Sequence, residues 1–282
     1  MENAFTIMPM NQQVDLNPGE TYEGYITIVN PADAKADFNY KVTVSPYSVV
    51  GEDYTADLQT KNKSNEIVDW IKIEEPTGTI APNGTKKVKF TIATPSDAAA
   101  GGQYASLNVS SNNDGGKNDG FSVQNVFEMA SLIYGTVSGD TVKDGEILEN
   151  NVPGFTAVPP ITVTAKLQNK GNIHQTATIV LKVTNFFTGD VIYPKDEQQG
   201  QFGELVMPDT TYNTSREIGN LPSIGVVTVN QTIHFDGKVS TTEKQVIICP
   251  VWFMILVVLT IAALVAFIVT RIKKARRKKR EF

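Results

Sequence analysis

Through much of the chain apolar and polar residues alternate with a period of two, the pattern of strands with one dry and one wet face. In residues 22–29, Tyr22, Ile26 and Ile28 fall on one face while Glu23 and Thr27 fall on the other. Residues 39–44 set Tyr40, Val42 and Val44 against Lys41 and Thr43, and residues 87–92 set Val88, Phe90 and Ile92 against Lys87, Lys89 and Thr91. No helical period lasts three turns ahead of residue 245. Asn17-Pro-Gly, Asn30-Pro, Ala81-Pro-Asn-Gly and Thr94-Pro supply the fixed or positive φ that turns between strands require.

Strands of this kind pair antiparallel and stack their dry faces, so the body is predicted to be all-β, two tandem immunoglobulin-like β-sandwiches. The first spans residues 1–137, with Trp70 as its large core residue and 101–109 and 121–137 as a late hairpin. A Gly/Asp/Asn/Pro-rich linker covers 138–154. The second sandwich, residues 155–240, is built from strands at 161–167, 177–183, 191–193, 203–207, 212–218 and 226–235. Gln168-Asn-Lys-Gly-Asn172 and Thr188-Gly-Asp190 read as tight turns, and Thr241-Thr-Glu-Lys-Gln245 as a short connection onward.

Alternation ends at residue 245. The 26 residues 245–270 carry no charge, and residues 246–270 read as a transmembrane helix. Counted from Pro250 to Thr270, 21 residues at 1.5 Å each reach about 31 Å, the thickness of a bilayer's hydrocarbon layer. Pro250 suits the first helical turn, and Trp252 falls at headgroup level. Arg271, Lys273, Lys274, Arg276, Arg277, Lys278, Lys279 and Arg280 follow at once. Basic residues beside a span stay on the cytoplasmic side, so the tail 271–282 is expected inside and the N-terminal domains outside. Export of such a body calls for a signal peptide, yet Met1-Glu-Asn-Ala-Phe-Thr has neither a basic n-region nor an apolar h-region. A late start codon or a processed form is the expected explanation. The competing topology, a tail-anchored cytosolic protein, violates the charge rule.

Charge sharpens this picture. Of 282 residues, 41% are hydrophobic and 20% charged, with a net charge of −5. Eight of the 25 basic residues lie in the last twelve positions, leaving 17 basic against 29 acidic residues, a net of −12, ahead of position 271. An acidic body excludes nucleic acid as the main partner. The single cysteine, Cys249, excludes an internal disulfide and Cys-rich zinc sites. It sits at the outer membrane boundary, where lipidation, an intermolecular bridge and an inert thiol are the three readings.

Several cadences resemble a known family. Phe5-Thr-Ile-Met-Pro, Leu16-Asn-Pro-Gly-Glu-Thr, Ile28-Val-Asn-Pro31, Ile80-Ala-Pro-Asn-Gly-Thr85 and Gly101-Gly-Gln-Tyr-Ala look like the N-terminal domain of the bacterial WxL-interacting proteins. Leu167-Gln-Asn-Lys-Gly-Asn172, Gly189-Asp190 and Leu205-Val-Met-Pro208 are similar to that family's second domain. The resemblance implies a bacterial cell-surface protein. Its first domain would bind cell-wall peptidoglycan, and its second a WxL-type surface protein or a host protein. No family binding residue maps onto this chain.

Catalytic chemistry is scarcely represented. His174 and His234 are the only ordinary neutral-pH bases, and neither lies in a nucleophile motif. Glu74 and Glu75 are adjacent strand positions that point to opposite faces, unlike a glycosidase pair. Asn112-Asn-Asp-Gly-Gly-Lys-Asn-Asp-Gly120 is rich in oxygen ligands but departs from the EF-hand spacing. It reads as a hairpin tip, with weak calcium binding in the 110–120 loop left open. Leu221-Pro-Ser-Ile-Gly225 is similar to a sortase signal yet has Ile224 where that signal has threonine, and reads as a turn. No enzyme activity, cofactor or metal is expected. Tyr22, Tyr25, Tyr40 and Tyr47 are candidates to stack on sugar rings, with core packing as the alternative. The expected function is a membrane-anchored binding protein for peptidoglycan or a surface protein. The alternative is a structural or assembly (chaperone-like) subunit of a surface or secretion complex with no glycan affinity.

Overall fold

A computed structural model of the chain describes residues 5–111 and 128–278. The chain is mostly β, with one C-terminal apolar helix, and divides into two compact units. The first comprises residues 1–146, 167–176 and 205–212; the second comprises 147–166, 177–204 and 213–282.

The first eleven strands are β1 (Thr6–Met8), β2 (Asn11–Leu16), β3 (Thr21–Val29), β4 (Phe38–Pro46), β5 (Ser48–Val50), β6 (Thr55–Asp57), β7 (Ile71–Ile73), β8 (Thr77–Ile80), β9 (Thr85–Ala93), β10 (Gly101–Ser111) and β11 (Glu128–Val137). They form one sheet in the order β1-β3-β9-β7, another in the order β2-β11-β10-β4-β8, and the separate hairpin β5-β6. The predicted alternation is what closes the first two sheets on each other. Ile26 and Ile28 of β3 and Val88, Phe90 and Ile92 of β9 share one core with Tyr40 and Val42 of β4, Leu107 of β10 and Ile133 of β11. Lys41, Thr43 and Glu23 stay exposed. The arrangement is an immunoglobulin-like β-sandwich in which both sheets contribute apolar burial, worth roughly 1.5–3 kcal/mol per large side chain.

Trp70 does not fill the centre. A single 3₁₀ turn, Glu66–Asp69, leads directly into β7, so residue 70 lies at its end, outside the alternating register, and packs half-buried against the core. Ile67 takes the buried place, with its N–H donated to Gln103 Oε1 at 3.1 Å.

The remaining strands are β12 (Gly145–Asn151), β13 (Phe155–Thr156), β14 (Ile161–Asn169), β15 (Gln175–Asn185), β16 (Val191–Tyr193), β17 (Gln201–Val206), β18 (Thr210–Ile218), β19 (Gly225–Phe235) and β20 (Lys238–Ile248). They form a sheet β12-β14-β18 and a larger one β13-β20-β19-β15-β16, with β17 also on β15. Val163 and Ala165, Ile179 and Leu181, Val227 and Val229, and Val246 and Ile248 are the buried faces of their strands. Two segments differ from expectation. Residues 145–151, inside the Gly/Asn-rich stretch read as a linker, form β12. Residues 241–245, read as a connection, lie within β20, which returns along β19 in register from Phe235↔Lys238 to Gly225↔Ile248. Asp236 (φ 49°) and Gly237 (φ 72°) make the two-residue turn between them, the hairpin geometry that matches strand twist. One helix, α1 (Val251–Lys278), follows β20 after two residues and is long and apolar enough to cross a membrane.

Phe90 is 1% exposed at the heart of the first core. Phe90→Ala is expected to cost about 3–5 kcal/mol. Thr43→Ala, on the wet face, should stay within about 0.5 kcal/mol. Urea denaturation of the detergent-solubilised chain checks both.

Candidate functional site

The chemistry-bearing residues are dispersed, and Glu74 and Glu75 are already paired with lysines. His234 is exposed on β19, opposite Val239 of β20. Glu74 pairs with Lys89 at 3.2 Å, and Lys89 also reaches Glu23 at 2.9 Å; Glu75 pairs with Lys86. Among the described residues no group of three His, Cys, Asp or Glu side chains is placed to hold a metal ion. The calcium candidate at 112–120 lies outside the described residues. Cys249 is half-buried with a free thiol, and Leu221-Pro-Ser-Ile-Gly225 is the bend that leads into β19.

Nor do the tyrosines form a sugar-stacking row. Tyr40 is 1% exposed. Tyr22 packs toward Phe90 with ring centroids 6.5 Å apart, and Tyr47 meets the edge of Tyr134 at 6.1 Å. Tyr25 alone stands on the wet face, with the Lys87 ammonium 3.9 Å above its ring.

At the C-terminus, Pro250 caps the start of α1: its carbonyl accepts the N–H groups of Phe253 (3.0 Å) and Met254 (3.1 Å). Trp252 is exposed. Arg271 and Lys273 lie exposed on the helix, Arg271 5.2 Å from the Phe267 ring. Lys274, Arg276, Arg277 and Lys278 belong to its last turns; Lys279 and Arg280 lie outside the described residues.

His174 has an unexpected setting in the first unit. Its backbone N–H donates to the Tyr104 hydroxyl at 3.0 Å, and that hydroxyl lies 3.2 Å from His174 Nδ1. Tyr104 and His174 both pack on Tyr134, at 6.0 and 5.5 Å between centroids. Burial raises the pKa of both phenols and lowers that of the imidazole. These hydrogen bonds tie the segment between β14 and β15 to β10.

The turn after β14 is a second tie in the same unit, and sequence reading saw only its tightness. Asn169 is buried, donating to the carbonyls of Ile173 (2.8 Å) and Val206 (3.0 Å). Asn172 accepts Val142 N–H at 2.7 Å and donates to Asp140 O at 3.0 Å. Gly171 must be glycine, because a Cβ there would sit 2.3 Å from Val142 O. A cavity of about 580 Å³ beside this turn is lined by Lys63, Lys170, Asn172 and Asp209, among others. Lys170 there is engaged by Glu146 at 2.6 Å.

Backbone is left unpaired along one side of this sandwich. β1 covers β3 only at residues 27–29, in register Met8↔Thr27 to Thr6↔Val29. The chain then changes sheets, and β2 runs parallel to β11 from Asn11↔Leu132 to Leu16↔Val137. On that side, among the described residues, no strand lies beside 21–26 of β3 or beside 128–130 of β11. Two open edges of unequal length result, six residues on β3 and three on β11, a ready template for a further strand.

No family model matches this chain, and no curated protein matches it. Solved structures do. The chain is similar to the class 5 fimbriae chaperone CfaA, at 11% identity over 86% of this chain and 99% of that one, with a TM-score of 0.42. It is also similar to the CsuC–CsuE chaperone–tip adhesion subunit complex of Acinetobacter baumannii, at 11% identity over 86% and 98%, TM-score 0.41. A third is the Escherichia coli chaperone DraB, at 11% identity over 86% and 97%, TM-score 0.39. Likeness at this level defines neither a family nor an activity. The expected WxL-interacting family is corrected accordingly: no family model supports it, and these structures are chaperones. The assignments to peptidoglycan and to a WxL-type or host partner are withdrawn with it. The motifs behind the resemblance are mostly turns and strand ends. They report where strands end, and sandwiches of many functions share them.

Because its folded-state pKa is depressed, His174 binds a proton more readily in the unfolded chain. Stability is therefore complete above the unfolded value near 6.5 and falls as pH drops below it toward the folded pKa. Urea midpoints are expected to decline between about pH 7 and pH 5. His174→Gln, which cannot titrate, should flatten that part of the profile.

Proposed function

We propose that the chain is a membrane-anchored assembly factor, chaperone-like in the sense that it holds an extended segment of another polypeptide. Two sandwich domains, residues 1–137 and 155–240, stand outside the membrane on one span at 246–270, with the basic tail 271–282 in the cytoplasm. The observation that carries this reading is the pair of open edges, 21–26 of β3 and 128–130 of β11, left where one N-terminal segment divides between two sheets. Strand addition supplies main-chain hydrogen bonds to such an edge, and alternate side chains set specificity. The longer edge, 21–26 of β3, presents Glu23 and Tyr25 on its wet face, with Lys87 and Lys89 beside them. That is a mixed-charge, aromatic surface suited to the polar side of an amphipathic strand. The partner is accordingly a polypeptide subunit of a surface or secretion complex.

Two measurements test this reading. A photo-crosslinking amino acid at Tyr25, in the full chain in its native membrane, is expected to join one extended segment of one polypeptide. The same probe at Thr79, on the opposite edge of the other sheet, should not. Equal labelling at both positions, or a spread over many polypeptides, overturns strand capture. Protease added to intact cells is expected to digest the sandwich region and spare an epitope on the tail; the reverse pattern overturns the orientation.

A further inference from the structure

The end of the second unit from which α1 departs is unusually apolar. The turn after β15 carries Phe186 and Phe187 side by side, ring centroids 5.1 Å apart, with Phe187 77% exposed. Val191 opens β16 directly after this turn, paired with Thr184. Ile224 stands just ahead of Gly225, which pairs with Ile248. Phe155 of β13 and Ile247 of β20 are a register pair, and paired strand residues share a face. Both are about half exposed. Strand register brings these six residues to one end of one sheet: Asn185 pairs with Val227, Val227 with Val246, and Phe186 N–H donates to Val226 O at 3.2 Å.

Two features mark this end as built for contact with something apolar. The phenylalanine turn is braced from within. The Asn185 side chain accepts the N–H groups of Phe187 (2.9 Å) and Thr188 (3.1 Å), and Thr188 donates its hydroxyl to Asp190 at 2.7 Å. The turn's N–H groups are thereby bonded internally while the rings stay outside. The outer edge of β20 is also closed here by a strand. Ile247 N–H donates to Gly154 O (3.1 Å) and Cys249 N–H to Thr156 O (3.0 Å), through the two-residue strand β13. A soluble edge has water for these groups, whereas backbone near hydrocarbon must be satisfied by protein.

We infer that this end of the second unit is seated in the interfacial layer of the bilayer that α1 crosses. Phe186 and Phe187 enter at the depth of the headgroups and upper acyl chains, about 5–10 Å into the boundary. The occupant follows from connectivity. Only Cys249 and Pro250 separate β20 from α1, so the apolar residues lie within a few residues' reach of the span's outer end. The charged group on the turn is Asp190, and the tail's cations lie at the far end of the helix. A zwitterionic phosphatidylcholine surface therefore suffices. This inference rests on the membrane-spanning reading of α1.

The test uses the full chain with Cys249→Ser in phosphatidylcholine vesicles, carrying a nitrobenzoxadiazole label on one introduced cysteine: Val191→Cys, Asp236→Cys or Leu259→Cys. Iodide reports water access and lipid-borne nitroxides report depth. Leu259 is expected to be reached only from lipid and Asp236 only from water. The Val191 label should be quenched by headgroup-level nitroxides and be several-fold less open to iodide than Asp236. Adding Phe186→Ser and Phe187→Ser to the Val191 chain should restore iodide access. A Val191 label as open to iodide as Asp236, with Leu259 still in lipid, overturns the seating alone. Iodide access at Leu259 overturns the span and the seating together. Retained shielding of the Val191 label after both serine substitutions, in a chain with unchanged circular dichroism, overturns the role of the phenylalanines.

Discussion

Every backbone N–H and C=O in a sheet needs a partner, and the first unit depends on how one short segment shares out its own. Residues 6–16 serve two sheets in turn, antiparallel to β3 and then parallel to β11. This crossing holds the sandwich closed along one side, because a single chain is bonded to both layers. It cannot cover both edges along their full length. The uncovered stretches of β3 and β11 follow from that arithmetic. Sandwiches commonly blunt such edges with charge, and the wet face near β3 has it in Glu23, Lys87 and Lys89. Those charges discourage indiscriminate pairing and still permit a complementary strand.

Alternation made the first core legible. Each residue assigned to the dry faces of β3, β4 and β9 is buried or packed against the core, since a one-residue slip would turn the whole set toward water. Elements whose stability comes from elsewhere were not legible. β20 is largely polar on both faces over residues 240–245 and is held by its ladder to β19, which composition does not reveal. β12 hides in Gly/Asn-rich sequence because edge pairing asks little of its side chains. Trp70 was misplaced because a single 3₁₀ turn shifts the register locally, and hydrophobic size carries no register information.

The site shows the same limit more sharply. Two histidines and scattered carboxylates gave no catalytic pattern, and the structure places each in its own setting: His174 against Tyr104, Glu74 and Glu75 against lysines. The edge of β3 carries no motif at all. Strand addition is read by backbone groups that every residue possesses, so only topology discloses which are unused. Asn169 and Asn172 were visible as turn residues, but that their amides gather carbonyls from 140, 173 and 206 is a long-range fact. A motif such as Asn-x-Gly-Asn can therefore recur across unrelated sandwiches with no common ligand.

Where α1 crosses a membrane, as proposed, the bilayer imposes its own accounting on the second unit. A flexible linker would let the sheet end stand clear of the bilayer; a two-residue junction does not, since extended chain covers at most about 3.6 Å per residue. The strand that enters the helix must then meet the interface with its last backbone groups bonded and its exposed side chains compatible with lipid. β13, only two residues long, meets the first requirement where the second begins, at Phe155 beside Ile247. So short a strand adds little to the cohesion of a six-stranded sheet, and its value lies in where it sits. The phenylalanine turn extends the same compatibility across the width of the sheet. Anchored at the helix and again at this turn, the unit would lose much of its freedom to rotate about the span, which a single tether leaves open.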